Sequence, residues 1–195
     1  GVTNKFLAKK AQRICVAYPN MEQFFPKEKI VMTGNPIRKD ILETASKREQ
    51  AFMHFGLDPE RKTLLIIGGS QGARTINEAI FAGLNDLISN DLQVIWQTGK
   101  LFIDKAKQAV ESLQTRRVFV SDFIYEMDLA YAMADLVVSR AGALSVSEIC
   151  LAGKASILVP FPNASEDHQT ENAKSLVNNG AARLVLDQNA QADLV

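Results

Sequence analysis

The sequence has no excess of either charge: 22 lysines and arginines stand against 22 aspartates and glutamates. That balance argues against the broad electropositive face with which proteins grip nucleic acid. Any anionic ligand must then be held by a few placed groups. Cysteine is scarce, and Cys15 and Cys150 sit in apolar runs without paired spacing. They read as reduced core residues of a cytosolic protein and not as a disulfide framework or a metal pair. Long apolar runs are missing too, and no stretch approaches the length of a membrane span. The chain opens on Gly1 and stops at "QNAQADLV", where a helical pattern has only begun, so it reads as a piece of something longer.

What is present is a hydrophobic fraction of 47% over 195 residues, enough for one substantial core. From Lys62 onward, short β-branched runs alternate with helical patterns. The runs "TLLIIG" (63–68), "LQVIWQ" (92–97), "RVFVSDF" (117–123), "DLVVS" (135–139), "ASILVP" (155–160) and "ARLVL" (182–186) predict strands. Helices are predicted over 73–89, 101–114, 126–133, 145–153 and 167–179. Continuous apolar strands separated by helices imply an α/β fold, a doubly wound, Rossmann-like parallel sheet covered on both faces. Ile76, Ile80, Leu84 and Leu87 recur at helical spacing, so one face of their helix packs on that sheet. Earlier in the chain, "RICVAY" (13–18) and "KIVMTG" (29–34) look like strands, "GNPIRKD" like a turn, and "KREQAFMHFGL" like a helix ending near Gly56. Residues 1–33 are read as the tail of a preceding domain with its linker, and 34–195 as the main domain.

Ligands of a doubly wound sheet bind outside the carboxyl ends of its strands, which directs attention to three loops and one turn. "GGSQGA" (68–73) joins a strand to a helix through Gly68, Gly69 and Gly72. It is like a phosphate loop in kind, but matches neither GxGxxG nor the GK[ST] of a Walker loop. "SRAGALSVSE" (139–148) is the second loop. Ser145 and Glu148 fit a capping box, in which the serine accepts from the Glu148 N–H and the glutamate reaches back. They fit equally a helix start that holds phosphate while Glu148 accepts from ribose hydroxyls. The two readings differ in where the glutamate points. "PFPNASEDHQTENA" (160–173) is the third, with Gln169 and Asn172 three apart on one helical face. Their neutral amides suit sugar hydroxyls. His168 reads as a loop histidine and His54, between Phe52 and Phe55, as a buried structural one. Arg38, just past the Asn35-Pro36 turn, is placed to aim its guanidinium fork at a diphosphate in an interdomain cleft.

Taken together, "GNPIR", "GGSQGA", "SDFIYEM", "SRAGALSVSE" and "PFPNASEDHQTENA" resemble, in order and spacing, the MurG family of UDP-N-acetylglucosamine:N-acetylmuramyl-(pentapeptide) pyrophosphoryl-undecaprenol N-acetylglucosamine transferases. The resemblance runs over nearly the whole chain, and even "GVTNKFLAKKAQRICVAYP" is similar to the closing part of that family's N-terminal domain. It implies the C-terminal, donor-binding half of a GT-B glycosyltransferase of peptidoglycan synthesis. By motif, Arg38 and Ser70 would lie at the diphosphate, and Ile124 would offer its backbone to the uracil edge in a base-pair-like pattern. Ala143, Leu144 and Ser145 would meet the phosphates at the helix start. Glu148 would bind the ribose, and His168, Gln169 and Asn172 would read the N-acetylglucosamine. Ser145 stands where threonine is frequent, with the hydroxyl retained.

The family's glycine-rich N-terminal loop with its histidine is not in this sequence. The resemblance therefore implies no catalytic base here and places the lipid-linked acceptor on the other half. It also implies a cytoplasmic enzyme, peripheral on the inner face of the bacterial inner membrane. Neither a cofactor nor a metal is expected, for no DxD-like acidic pair stands at a fitting place. Nucleic acid is not expected as a partner. Two rivals stay open: a UDP-sugar epimerase of the same architecture and a non-catalytic nucleotide-binding module. A nicotinamide-dependent dehydrogenase would want an acidic residue closing the second strand of the main domain, where "WQTGK" stands.

Overall fold

The computed structural model describes residues 2–164 and 167–195; Gly1 and two residues of the 160–173 loop lie outside the description. The chain forms two compact units that part between Ile37 and Arg38. In the first, helix α1 (Val2–Lys10) precedes two short parallel strands, β1 (Ile14–Val16) and β2 (Ile30–Met32). Lys29 Nζ donates to the Ala8 and Lys9 carbonyls at the end of α1, both at 3.2 Å, where a cation meets the negative end of the helix.

The second unit is built on six parallel strands: β3 (Thr63–Ile67), β4 (Gln93–Gln97), β5 (Val118–Ser121), β6 (Leu136–Ser139), β7 (Ala155–Leu158) and β8 (Ala182–Leu184). Their order across the sheet is β5-β4-β3-β6-β7-β8, the doubly wound arrangement expected from the alternating pattern. The order reverses between β3 and β6, which opens a crevice at the carboxyl ends of those two strands. Every residue of β3 and β4 is buried, which is why Leu64–Ile67 and Val94–Trp96 are continuous apolar stretches without polar alternation.

Alternation within the strands divides the core. Leu64, Ile66, Val94, Trp96 and Val138 pack with Ile76, Ile80, Leu84 and Leu87 of α3 (Arg74–Ser89) and Ala106 of α4 (Ile103–Ser112). Each such side chain contributes about 2 kcal/mol by leaving water, so packing outweighs the cost of Gly83 inside α3. Leu65, Ile95 and Val137, fully buried, face the opposite layer. There α5 (Met127–Met133) is enclosed between the sheet and the segment 39–55, and so is buried nearly all round. That segment is a kinked 3₁₀ stretch, Lys39–Lys47, followed by α2 (Arg48–Phe55), which ends on Gly56 in the left-handed region. The 3₁₀ stretch was not foreseen.

Three expectations are corrected. Cys15 and Cys150 are exposed, not core. His54 is exposed as well: its ring stands edge-on to Phe55 and its Nε2 lies 3.7 Å from Glu126. Phe52 and Phe55 turn inward on α2 to different degrees and leave the histidine on the solvent face. Among the described residues no helix is long and apolar enough to cross a membrane.

Candidate functional site

The helix after β6 settles where the glutamate points. Helix α6 (Ala143–Leu151) starts two residues earlier than predicted, with Gly142 as N-cap and no side-chain cap bond. Ser145 is therefore the third helical residue, and the capping box does not form. Its hydroxyl stands 4.0 Å from the place a Cβ on Gly142 would take, the nearest atom to that point. The N–H groups of Ala143, Leu144 and Ser145 are the unpaired first-turn donors of α6; the Val146 N–H is the first to close on the Gly142 carbonyl, at 2.9 Å. The positive end of a nine-residue helix thus opens at the switch point of the sheet, with free space above its glycine.

Glu148 lies one turn further along α6. Its Oε2 accepts from the buried Tyr131 hydroxyl of α5 at 3.3 Å. Burial pushes the Glu148 carboxyl above its ordinary range, although the nearby Arg38 charge and the Tyr131 bond pull the other way. Burial, and then the Glu148 carboxylate, push the Tyr131 phenol upward, so it stays a donor. Arg38 Nη1 donates to the Tyr125 carbonyl at 3.0 Å, placing the guanidinium between the loop after β5 and the carboxylate on α6.

The remaining expected residues fall on the same rim. Ser70 is exposed in the turn after β3. Ile124 follows β5, and its N–H donates to Gln97 Oε1 at 2.9 Å, so the donor of the base-pair-like pattern is already engaged. Helix α7 (His168–Val177) carries the third motif. Gln169 Oε1 accepts from the Phe161 N–H at 3.0 Å, and Asn172 Nδ2 donates to the Ala141 carbonyl at 3.0 Å. Each amide is half committed to holding a loop, with its other end uncommitted to these bonds. His168 is exposed at the start of that helix.

Sequence reasoning missed the groups that hold these loops. Arg140 Nη1 donates to the carbonyls of Val159 and Pro160, both at 3.2 Å, and pairs with Asp187. Its guanidinium also lies over the Phe161 ring, 5.5 Å from the centroid. Thr75 Oγ1 of α3 donates to the other Asp187 oxygen at 3.0 Å. Arg140 stands inside a quoted motif, yet its partner is 47 residues away, and no local pattern announces such a pair. Gln97 and Tyr131 are buried polar side chains in apolar elements, and that mismatch was the signal available. Among the described residues, no group of three or more His, Cys, Asp or Glu side chains is placed to hold a metal ion.

Known proteins share the sequence and the fold of this chain. The family described as "Glycosyltransferase family 28 C-terminal domain" matches residues 63–195. The "UDP-N-acetylglucosamine--N-acetylmuramyl-(pentapeptide) pyrophosphoryl-undecaprenol N-acetylglucosamine transferase" of Parabacteroides distasonis is 55% identical over 195 residues, covering 100% of this chain and 53% of that protein. The protein of the same name from Bacteroides fragilis (strain ATCC 25285) is 56% identical over 197 residues, 100% of this chain and 52% of its own length. The crystal structure of Acinetobacter baumannii MurG superposes with a TM-score of 0.67 at 33% identity, over 96% of this chain and 51% of that one. The chain spans about half the length of the curated relatives it matches. The resemblance drawn from five motifs is borne out, and the chain belongs to the glycosyltransferase family 28 C-terminal domain family.

Proposed function

We propose that this chain is the donor-binding half of an inverting glycosyltransferase of peptidoglycan synthesis. The whole enzyme would move N-acetylglucosamine from UDP-N-acetylglucosamine to undecaprenyl-pyrophosphoryl-N-acetylmuramyl-pentapeptide. The observation that carries the reading is the open start of α6 at the switch point, with a half-buried carboxylate and an arginine beside it. The relatives' names supply the substrate class.

In this reading the N–H groups of Ala143, Leu144 and Ser145 receive the diphosphate, with Ser70 at the same rim. Charge builds on the leaving UDP as the glycosidic bond breaks, and the helix start and Arg38 stabilise it without reorganising. Glu148, freed of any capping duty, accepts from the ribose hydroxyls. The Ile124 carbonyl meets the uracil edge. Gln169 Nε2 and Asn172 Oδ1, with His168, read the N-acetylglucosamine. The general base that deprotonates the acceptor hydroxyl belongs to the half absent from this sequence, as do the lipid-linked acceptor site and the contact with the cytoplasmic face of the membrane. Neither metal nor cofactor enters the mechanism.

The chain alone should bind UDP-N-acetylglucosamine and not turn it over. A crystal soaked in the donor tests this: the diphosphate is expected at Ala143–Ser145 with the ribose on Glu148. An empty helix start, or a nucleotide lodged elsewhere, removes the reading. Proton NMR of the same mixture separates the epimerase rival, which would generate a second sugar from the donor.

A further inference from the structure

Tyr131 belongs to α5, the helix enclosed between the sheet and the segment 39–55, and it is fully buried. Its neighbours along that helix, Leu129, Ala130, Ala132 and Met133, are apolar and buried too. A phenylalanine would fill the same space without taking a hydroxyl out of water. A buried hydroxyl costs free energy unless it finds a partner, and this one finds it on another helix. It donates to Glu148 Oε2 of α6 at 3.3 Å.

Several groups act on that carboxylate. Ser145 and Glu148 are three apart on α6 and so share a face of the helix, on the side of the open first turn. Burial favours the protonated form, Arg38 draws the carboxylate by charge, and Asp40 repels it. Arg38 itself is committed through Nη1 to the Tyr125 carbonyl at 3.0 Å. Tyr131 is the side chain that bonds Glu148 directly. Burial and the Glu148 charge both push its phenol upward, so it does not ionise and remains a donor. Tied through Oε2, the carboxylate keeps Oε1 as an acceptor and has no need to close onto Arg38.

We propose that Tyr131 is a positioning residue that holds Glu148 ready for a ribose, and so gives the site a preference for ribonucleotides over deoxyribonucleotides. The two vicinal hydroxyls of a ribose can both donate to one fixed carboxylate, whereas a 2′-deoxyribose brings a single donor. A carboxylate free to turn would satisfy itself on Arg38, and the missing hydroxyl would then matter little. The inference rests on the reading of this unit as a uridine-nucleotide site with the ribose on Glu148. It adds the buried group that makes that contact selective.

UDP and 2′-deoxy-UDP binding are measured by calorimetry on the whole chain, for the wild type, Tyr131→Phe, Glu148→Ala and the double variant. Tyr131→Phe removes the hydroxyl and keeps the ring. The wild type should prefer UDP by about tenfold, the worth of one hydrogen bond to a charged group. Tyr131→Phe should weaken UDP more than 2′-deoxy-UDP and bring the preference down to about twofold. Glu148→Ala should abolish the preference. Adding Tyr131→Phe to it should change nothing further, because the phenol acts through the carboxylate.

A merely structural role would weaken both nucleotides equally, and by as much again in the Glu148→Ala background; that result overturns the proposal. A wild type that binds UDP without preference overturns it too. Should Tyr131→Phe not fold, the carbon NMR resonance of Tyr131 Cζ in the wild type decides. A shift on adding UDP that is smaller with 2′-deoxy-UDP supports the proposal, and an unmoved resonance refutes it. A wild type that binds neither nucleotide, or a Glu148→Ala that keeps the preference, removes the reading beneath the inference as well. A Glu148→Ala that loses the preference beside a Tyr131→Phe that keeps it removes the inference alone.

Discussion

Two glycine-bearing turns flank the switch point, and they look alike as sequence: "GGSQGA" after β3 and "SRAGAL" after β6. Structurally they are opposites. In the first, a Cβ on Gly68 would lie 2.3 Å from the Ala73 nitrogen, and one on Gly72, at φ +76°, would lie 2.0 Å from the Thr98 carbonyl. The protein's own backbone fills the space those glycines leave. In the second, Gly142 has an ordinary φ of −65° and nothing closer than Ser145 Oγ at 4.0 Å. A glycine between strand and helix reports a close approach by something. After β3 that something is the turn's own Ala73 for Gly68 and the loop after β4 for Gly72. After β6 it is absent from the protein, which is what a ligand position requires.

The contrast can be broken by adding a single methyl group to each turn. Gly72→Ala introduces left-handed strain and a backbone clash and should cost roughly 4 kcal/mol in urea denaturation. Gly142→Ala should stay within about 1 kcal/mol of the parent and yet weaken UDP binding by about tenfold, as the methyl group enters the space assigned to phosphate. Equal losses of stability at the two positions would mean that both turns are packing devices.

The two turns are also held differently. Backbone contacts and the Gln97 amide on the Gly69 carbonyl fix the first, whereas a charged pair and a second amide fix the second: Arg140 with Asp187, and Asn172 on the Ala141 carbonyl. Arg140 and Asp187 are only 12% and 19% exposed. Arg140→Met leaves the carboxylate buried without its partner and should cost about 3 kcal/mol. Adding Asp187→Leu should recover much of that loss, measured as a double-mutant cycle. A cycle with no coupling would place the strength of the turn elsewhere.

How much of this was legible in the sequence follows from the range of the interactions. Strand and helix positions follow from local periodicity, so β3 and β4 fell where their apolar runs stood. The start of α6 was misjudged by two residues, because Ser145 and Glu148 satisfy the spacing of a capping box that Gly142 pre-empts. Residues 39–47 carry too few periodic apolar positions for a helix to be read, and they hold their 3₁₀ form by packing on α5. His54 looked buried because its neighbours are aromatic, and the helix turned it outward. At the site, the ligand-facing candidates were visible as motifs. Gln97, Tyr131 and Arg140 were not, since their bonds reach 17 to 47 residues along the chain.

Glu148 gives the turn after β6 a pH dependence that the turn after β3 lacks. Its carboxyl is raised above the ordinary value of 4.5, mainly by burial. The folded state therefore binds this proton more tightly than the unfolded one. Stability contributed by the group is present below the unfolded value and lost as pH rises through the folded one. Glu148→Gln should remove that decline, read as a flatter urea midpoint between about pH 4 and pH 7. The same variant should lose UDP affinity by about tenfold or more, because a charged acceptor for the ribose is gone. A midpoint that declines identically in the variant would assign the slope to another carboxylate.

The smallest effect sharpens the comparison most. Were Ser145 an N-cap, Ser145→Ala would cost about 1 kcal/mol of stability, as caps do. At the third helical position with no cap bond, its hydroxyl supports nothing in the fold, and the change should fall within about 0.5 kcal/mol. Its role would then appear only with ligand present, as a few-fold loss of UDP affinity from one missing hydrogen bond. Denaturation and calorimetry on the one variant give both numbers. A stable protein with weakened binding puts the serine on the ligand; a destabilised protein with unchanged binding returns the turn after β6 to the same purely structural standing as the turn after β3.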